Sequence, residues 1–159
     1  MSTILIKTPR LLIRQQTKEE ALGHINALPP EDRAQVSPAW LAMLEESDIP
    51  SVWIVGFFMT LEATGEGVGS CGFAGPPDSG GVVELAYAVD QAHRGQGYAT
   101  EAADALARFA LAAGGVSAVR AHTLDDCGAS AKVLTRCGFA KLGQISHPED
   151  GLVWRWEKS

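Results

Sequence analysis

Apolar residues along this chain shift between a two-residue and a roughly 3.6-residue period, and each shift marks a change of element. Leu11-Leu12-Ile13-Arg14-Gln15 reads as a strand that ends in polar residues. Lys18 to Leu28 reads as a helix, with Thr17 as N-cap and Glu20 closing a capping box, and Pro29-Pro30 stops it. Ala39, Trp40, Met43 and Leu44 recur at helical spacing within Pro38 to Glu46. Trp53 to Leu61 and Val68 to Ala74 read as strands of a meander, with turns at Gly65–Gly67 and Gly75–Gly81. Val82 to Val89 alternates strictly: Val83, Leu85, Tyr87 and Val89 share one face, and Glu84 stands among small residues on the other. After the loop Asp90–Gly97, Ala102, Leu106, Phe109, Ala110 and Ala113 form the stripe of a helix from Tyr98 to Ala113, which Gly114-Gly115 ends. Ser117 to Thr123 is a strand, Ala129 to Cys137 a short helix with Gly138 after it, and Ala140–Ile145 and Leu152–Trp156 a closing pair of strands.

The order β-α-α-β-β-β-α-β-α-β-β predicts an α/β fold of the mixed-sheet, α+β kind: about seven strands in one central mixed sheet, flanked on both faces by about four helices. With 159 residues and no repeat, low-complexity run or linker, residues 1–159 are expected to form a single domain.

Composition narrows the function classes. Thirteen Lys+Arg against nineteen Asp+Glu leave a net charge of −6, and no basic stripe is present, which argues against nucleic acid as a partner. Ile4-Leu5-Ile6 is too short for a signal-peptide core or a membrane span, so a cytoplasmic location without membrane association is expected. Cys71, Cys127 and Cys137 form no CxxC pair and have no ligand-spaced histidine, so no metal site and no disulfide framework is expected, and most are expected to be buried.

Arg94-Gly95-Gln96-Gly97-Tyr98-Ala99, between a strand and a long helix, carries the chemistry. Glycines let the backbone approach a ligand and point several N–H groups into one concavity, and the helix N-terminus adds partial positive charge. Such a loop suits a phosphate or diphosphate, though a plain turn also uses glycines. It is not a P-loop, because no lysine follows Gly97; Thr100 and the late position fit a dinucleotide fingerprint poorly.

The same six residues fit the R/Q-x-x-G-x-G/A pattern, and the chain resembles the GNAT acyltransferase superfamily, in particular its branch of Rim-type ribosomal-protein N-terminal acetyltransferases. The resemblance extends to Thr8–Arg14, Val83–Tyr87, the helix opening Tyr98-Ala99-Thr100-Glu101-Ala102, and Ala129-Ser130 through Val133-Leu134 to Cys137-Gly138-Phe139. It is least evident from Arg33 to Phe58. What it implies is a GNAT-like sheet and acetyl-CoA as cosubstrate, with the diphosphate held by Arg94, Gly95, Gln96, Gly97, Tyr98, Ala99 and Thr100. The strands ending at Val89 and Thr123 would splay apart, and the pantetheine arm would pair with the backbone of Tyr87, Ala88 and Val89. The implied activity is N-acetylation by direct attack in a ternary complex, by a monomer or homodimer. The acceptor would be a primary amine, either a peptide N-terminus or a small molecule. A non-catalytic acyl-CoA sensor, or a degenerate domain, is the alternative.

Deprotonating a lysine-like amine at pH 7 costs about 4.6 kcal/mol, and an α-amine only about 1 kcal/mol, so a base matters most for an aliphatic amine. Glu84 is the first candidate, through water; an ion pair or an ammonium contact is the competing use. His122 is the second candidate, or else a hydrogen-bonded structural histidine. His93 is expected to face solvent, and His24 and His147 carry no signal. Ser130 resembles the serine that the branch places near the sulfur, as donor to the leaving thiolate, with helix capping as its other use. Cys127 stands where the family pattern has asparagine, and Asp126 is the residue beside it that could take over the polar contact.

Overall fold

A computed structural model of the chain describes residues 4–34, 36–46, 51–148 and 150–159. Its strands are β1 (Leu5–Lys7), β2 (Leu11–Gln15), β3 (Phe57–Leu61), β4 (Gly67–Phe73), β5 (Val82–Val89), β6 (Ala118–Thr123), β7 (Ala140–His147) and β8 (Gly151–Lys158). Its helices are α1 (Lys18–Asn26), α2 (Pro30–Arg33), α3 (Pro38–Glu46), α4 (Tyr98–Ala112) and α5 (Ala129–Arg136). One eight-stranded mixed sheet runs in the order β1-β2-β3-β4-β5-β6-β8-β7. Every neighbouring pair is antiparallel except β5 and β6, which are parallel.

The α/β expectation holds, with one strand more than the period suggests. β1 is only three residues long, too short to show an alternation, and it exists by pairing with β2 from Leu5↔Arg14 to Lys7↔Leu12. Trp53–Leu61 is shorter as a strand than expected. Ile54 and Val55 donate back to the Ser51 carbonyl in a turn, and Gly56, at φ +75°, separates that turn from β3. Pro29-Pro30 does stop α1, yet Pro30 then opens the single turn α2, where a missing N–H is harmless.

Local chemistry sets the ends of the elements. The Thr17 side chain accepts from Glu20 N–H while Glu20 reaches back to Thr17 N–H, so the predicted capping box is present on α1. The core lies between the sheet and α4, whose Ala102, Ala103, Leu106, Ala107 and Ala110 are buried against Leu11, Phe57, Met59, Val83 and Val119. Each fully buried large side chain contributes about 1.5–3 kcal/mol. Small residues on α4 let it lie close to the sheet, which fixes its N-terminus at the end of β5. Gly69 shows how tight the β4–β5 pairing is: a Cβ there would sit 2.1 Å from the Ala88 carbonyl oxygen.

Candidate active site

The loop after β5 presents free backbone donors. Gly97 is the N-cap of α4 at φ +86°, and Gly95 has φ +79°; a non-glycine residue would be strained at either. Among the described residues, the N–H groups of Gly95, Gln96, Gly97, Tyr98, Ala99 and Thr100 have no acceptor, and the first bond of the helix is Glu101 N–H to Gly97 C=O at 3.1 Å. Arg94 Nε ties the loop to the end of β5 through the Val89 carbonyl (3.0 Å). No side chain caps α4. Open donors, a helix N-terminus and glycines without Cβ atoms form a cradle that fits a diphosphate.

Sequence reading missed Arg10 here. Its Nε pairs with Glu101 (2.8 Å), its Nη1 donates to Gln96 C=O (2.9 Å), and its guanidinium lies over the Tyr98 ring. Glu101 also accepts from Thr8 and from Arg10 N–H. Burial pushes the Glu101 carboxyl up, but these donors outweigh it and hold the pKa below the usual range. The signal was Thr8-Pro9-Arg10 itself, whose partner lies 91 residues away.

β5 and β6 pair only at Val82↔Ala118, Val83↔Val119 and Glu84↔Arg120, then separate. The splay implied by the resemblance is therefore present, and Glu84 stands at its apex. Glu84 C=O and Asp90 N–H both bond towards β4. By strand alternation the backbone groups of Leu85, Tyr87 and Val89 then face the opened gap. Ala88 turns its backbone to β4 instead, opposite Ser70.

Glu84 and His122, both singled out in the sequence, are in contact: His122 Nδ1 meets Glu84 Oε1. His147, which carried no sequence signal, faces the same oxygen across 3.6 Å, and its ring lies 5.0 Å from that of His122. On the far side of His122, Arg155 Nε donates to Nε2 (3.2 Å). That bond leaves the proton of a neutral His122 on Nδ1, pointed at Glu84. Burial alone raises the Glu84 pKa, but the His122 hydrogen bond and the charges of His122, His147 and Arg120 more than offset it, so the group sits below the usual range. Side-chain exposure is 31% for Glu84, 14% for His147 and 7% for His122, so the carboxylate is the most open of the three.

These residues line a cavity of about 370 Å³, together with Met43, Ala74, Pro76, Asp78, Arg120, Pro148 and Arg155. The ligand atoms of Glu84, His122 and His147 lie within 4.8 Å of one another, a spacing that a divalent ion can bridge. The donor set fits hydrogen bonding better than metal binding, because Arg155 Nε–H donating to Nε2 leaves a neutral His122 with its proton on Nδ1, the nitrogen a metal would need. Glu149 lies outside the described residues.

Across the gap from Tyr87, Ser130 lies exposed in the first turn of α5. Among the described residues its hydroxyl has no partner, so the capping use is not seen; Asp125 instead accepts from Gly128 N–H (2.7 Å). The Tyr87 hydroxyl donates to the Ser130 carbonyl at 3.4 Å, so a tyrosine reaches this helix from the facing strand. Burial raises the Tyr87 pKa, which keeps the phenol protonated. Cys127 is exposed, Cys71 and Cys137 are buried, and Asp126 pairs with Lys141 (3.3 Å) rather than turning into the gap. His93 is not solvent-facing: its Nε2 contacts Glu66 at 3.2 Å and its Nδ1 is buried.

The splayed β5–β6 pair with a glycine cradle at its end is the geometry that the resemblance implies, and comparison with known proteins agrees with that resemblance. The acetyltransferase (GNAT) domain model matches residues 9–140, so the chain belongs to the GNAT acetyltransferase family. An uncharacterized N-acetyltransferase, YjdG, of Bacillus subtilis (strain 168) is 40% identical over 72 residues, which is 45% of this chain and 43% of that protein; the match spans less than half of the relative. Two solved structures share the fold. A RimL ribosomal L7/L12 α-N-protein acetyltransferase with coenzyme A has TM-score 0.68 and 15% identity, covering 98% of this chain and 97% of that one. An aminoglycoside acetyltransferase AAC(6')-Ib with coenzyme A has TM-score 0.66 and 16% identity, covering 94% of each chain. Among the described residues no helix is long and apolar enough to cross a membrane.

Proposed function

We propose that the protein is an acetyl-coenzyme A-dependent N-acetyltransferase that moves an acetyl group to a primary amine by direct attack in a ternary complex. The observation that carries this reading is the position of Glu84: an open carboxylate at the apex of the β5–β6 splay, on the strand that leads into the glycine cradle and in the wall of a cavity large enough for an acceptor. Coenzyme A in the RimL and aminoglycoside acetyltransferase structures supports the choice of cosubstrate. When bound, acetyl-coenzyme A supplies the acetyl group as a thioester.

The N–H groups of Gly95 to Thr100 and the N-terminus of α4 grip the diphosphate, with Arg94 and Arg10 bracing the loop. The backbone of Tyr87 and Val89 lies along the pantetheine arm and offers an N–H to polarise the thioester carbonyl. Glu84 receives the acceptor's ammonium and takes its proton, directly or through water, so that the free amine attacks as the C–N bond forms and the C–S bond breaks. His122 keeps Glu84 oriented and ionised. Ser130 Oγ, on the turn that Tyr87 holds through the Ser130 carbonyl, gives a hydrogen bond to the departing sulfur, which leaves as the thiol with the second proton shed by the attacking nitrogen.

The test is thiol release from acetyl-coenzyme A across a panel of amines, run beside calorimetry with coenzyme A. Turnover of at least one amine is expected, with loss of that turnover in Glu84→Gln. Coenzyme A binding without turnover of any amine contradicts the enzyme reading and supports the sensor.

A further inference from the structure

We infer that the acceptor carries a carboxylate close to its amine, as a free amino acid does, and that Arg155 on β8 is the residue that recognises it. This rests on the acetyltransferase reading and names the substrate class of the same site.

The charges facing the cavity do not cancel in place. Across the sheet, Glu84, Arg120 and Glu157 stand in register on β5, β6 and β8, and His122 and Arg155 occupy another row. Arg120 is committed: its Nε donates to Glu157 at 2.6 Å. Asp78 is committed too, accepting from Gly80 and Val82 N–H at 2.9 and 3.0 Å. Arg155 is not. Among the described residues its side chain makes only the Nε bond to His122, and the two Nη groups, on a residue that lines the cavity, have no partner. A guanidinium with an open Nη edge is the group best shaped to take a carboxylate in two parallel hydrogen bonds.

Glu84 supplies the opposite pole. The order Glu84–His122–Arg155 places a carboxylate and a guanidinium at the two ends of one imidazole, each one hydrogen bond away. A molecule laid alongside, with its amine on Glu84 and its carboxylate on Arg155, needs the same reach: one short skeleton and a hydrogen bond at each end. An α-amino carboxylate has that reach, whereas a polyamine or aminoglycoside would set a second ammonium against Arg155. A peptide N-terminus has no carboxylate at that distance. A cavity of about 370 Å³ is at the small end of ligand pockets, which run from about 300 to 1,000 Å³, and so also suits a small acceptor.

The experiment measures thiol release by the full chain with the common amino acids and, in parallel, their carboxamides. Amidation lowers the basicity of the amine and favours the amide intrinsically, so a preference for the acid reports recognition. For the best side chain, the acid is expected to exceed its amide at least tenfold in kcat/KM. In Arg155→Gln that ratio is expected to fall to within about twofold, while Arg155→Lys keeps part of it, with the KM for acetyl-coenzyme A following neither change. Amides used as well as acids, or a ratio that Arg155→Gln leaves intact, overturns the inference while the transferase reading stands. Turnover of none of these acids or amides, with other amines in the panel still acetylated, overturns the inference alone. Failure with every amine overturns both.

Discussion

The glycine loop after β5 and the cavity beside Glu84 are built in opposite ways. Gly95 to Thr100 come from one unbroken stretch, and their donors are open because two glycines at positive φ turn the backbone outward and a helix begins there. The cavity draws Met43, Glu84, Arg120, His122, His147 and Arg155 from five elements, and its charges depend on which strands neighbour one another. A site made of main chain is written in local sequence; a site made of side chains on a sheet is written in topology. The two should therefore respond to mutation independently.

The largest separation is expected from Gly97→Glu. A Cβ there already meets Arg10 Nη2 at 3.2 Å and the backbone is left-handed, so the added carboxylate places strain and negative charge in the cradle. Coenzyme A affinity, measured by calorimetry, is expected to fall by about 100-fold or more. Glu84→Gln is the complementary break: kcat is expected to drop on the order of a hundredfold, with coenzyme A affinity held. The loss should be larger for aliphatic amines than for α-amines, because the cost of removing the proton is greater. If both variants weaken the cofactor equally, the two regions are not separate.

This division explains what was legible beforehand. Strand β5, the capped helix α1 and the glycine loop could be read because period, Thr17–Glu20 and Gly95–Gly97 are short-range signals. Glu84 was legible as a carboxylate in an apolar strand, and His122 as a polar residue near the end of another. Arg155 and His147 were not, because β8 comes to lie beside β6 by inserting between β6 and β7, and nothing local announces that order. Arg10 was hidden for the same reason, its partner Glu101 lying on a helix far along the chain.

Smaller effects sharpen the picture at the junction of the two regions. Ser130→Ala removes the hydrogen bond proposed for the leaving sulfur, and a roughly tenfold fall in kcat is expected with cofactor binding kept. Tyr87→Phe in that background should lower it further, since the phenol that donates to the Ser130 carbonyl and holds the first turn of α5 is lost. Stability has its own pH signature. Glu20, held at about 2 mainly by Arg14, and Glu84 and Glu101, both below the usual range, are more acidic folded than unfolded. Their contribution is complete above the ordinary carboxylate pKa and is lost as pH falls through their folded values, so thermal unfolding at pH 7 and near pH 3 should show the fold weakening on the acid side. Least of all, Thr17→Ala removes the α1 cap and should cost about 1 kcal/mol without changing coenzyme A affinity.

The central claim is that main-chain donors at the end of β5 hold a diphosphate. Calorimetric titration of the protein with coenzyme A and with pantetheine, which lacks that group, tests it directly. The account predicts firm binding of coenzyme A, weak binding of pantetheine, and no difference between the two in Gly97→Glu. Equal affinity of the unaltered protein for both ligands would contradict it.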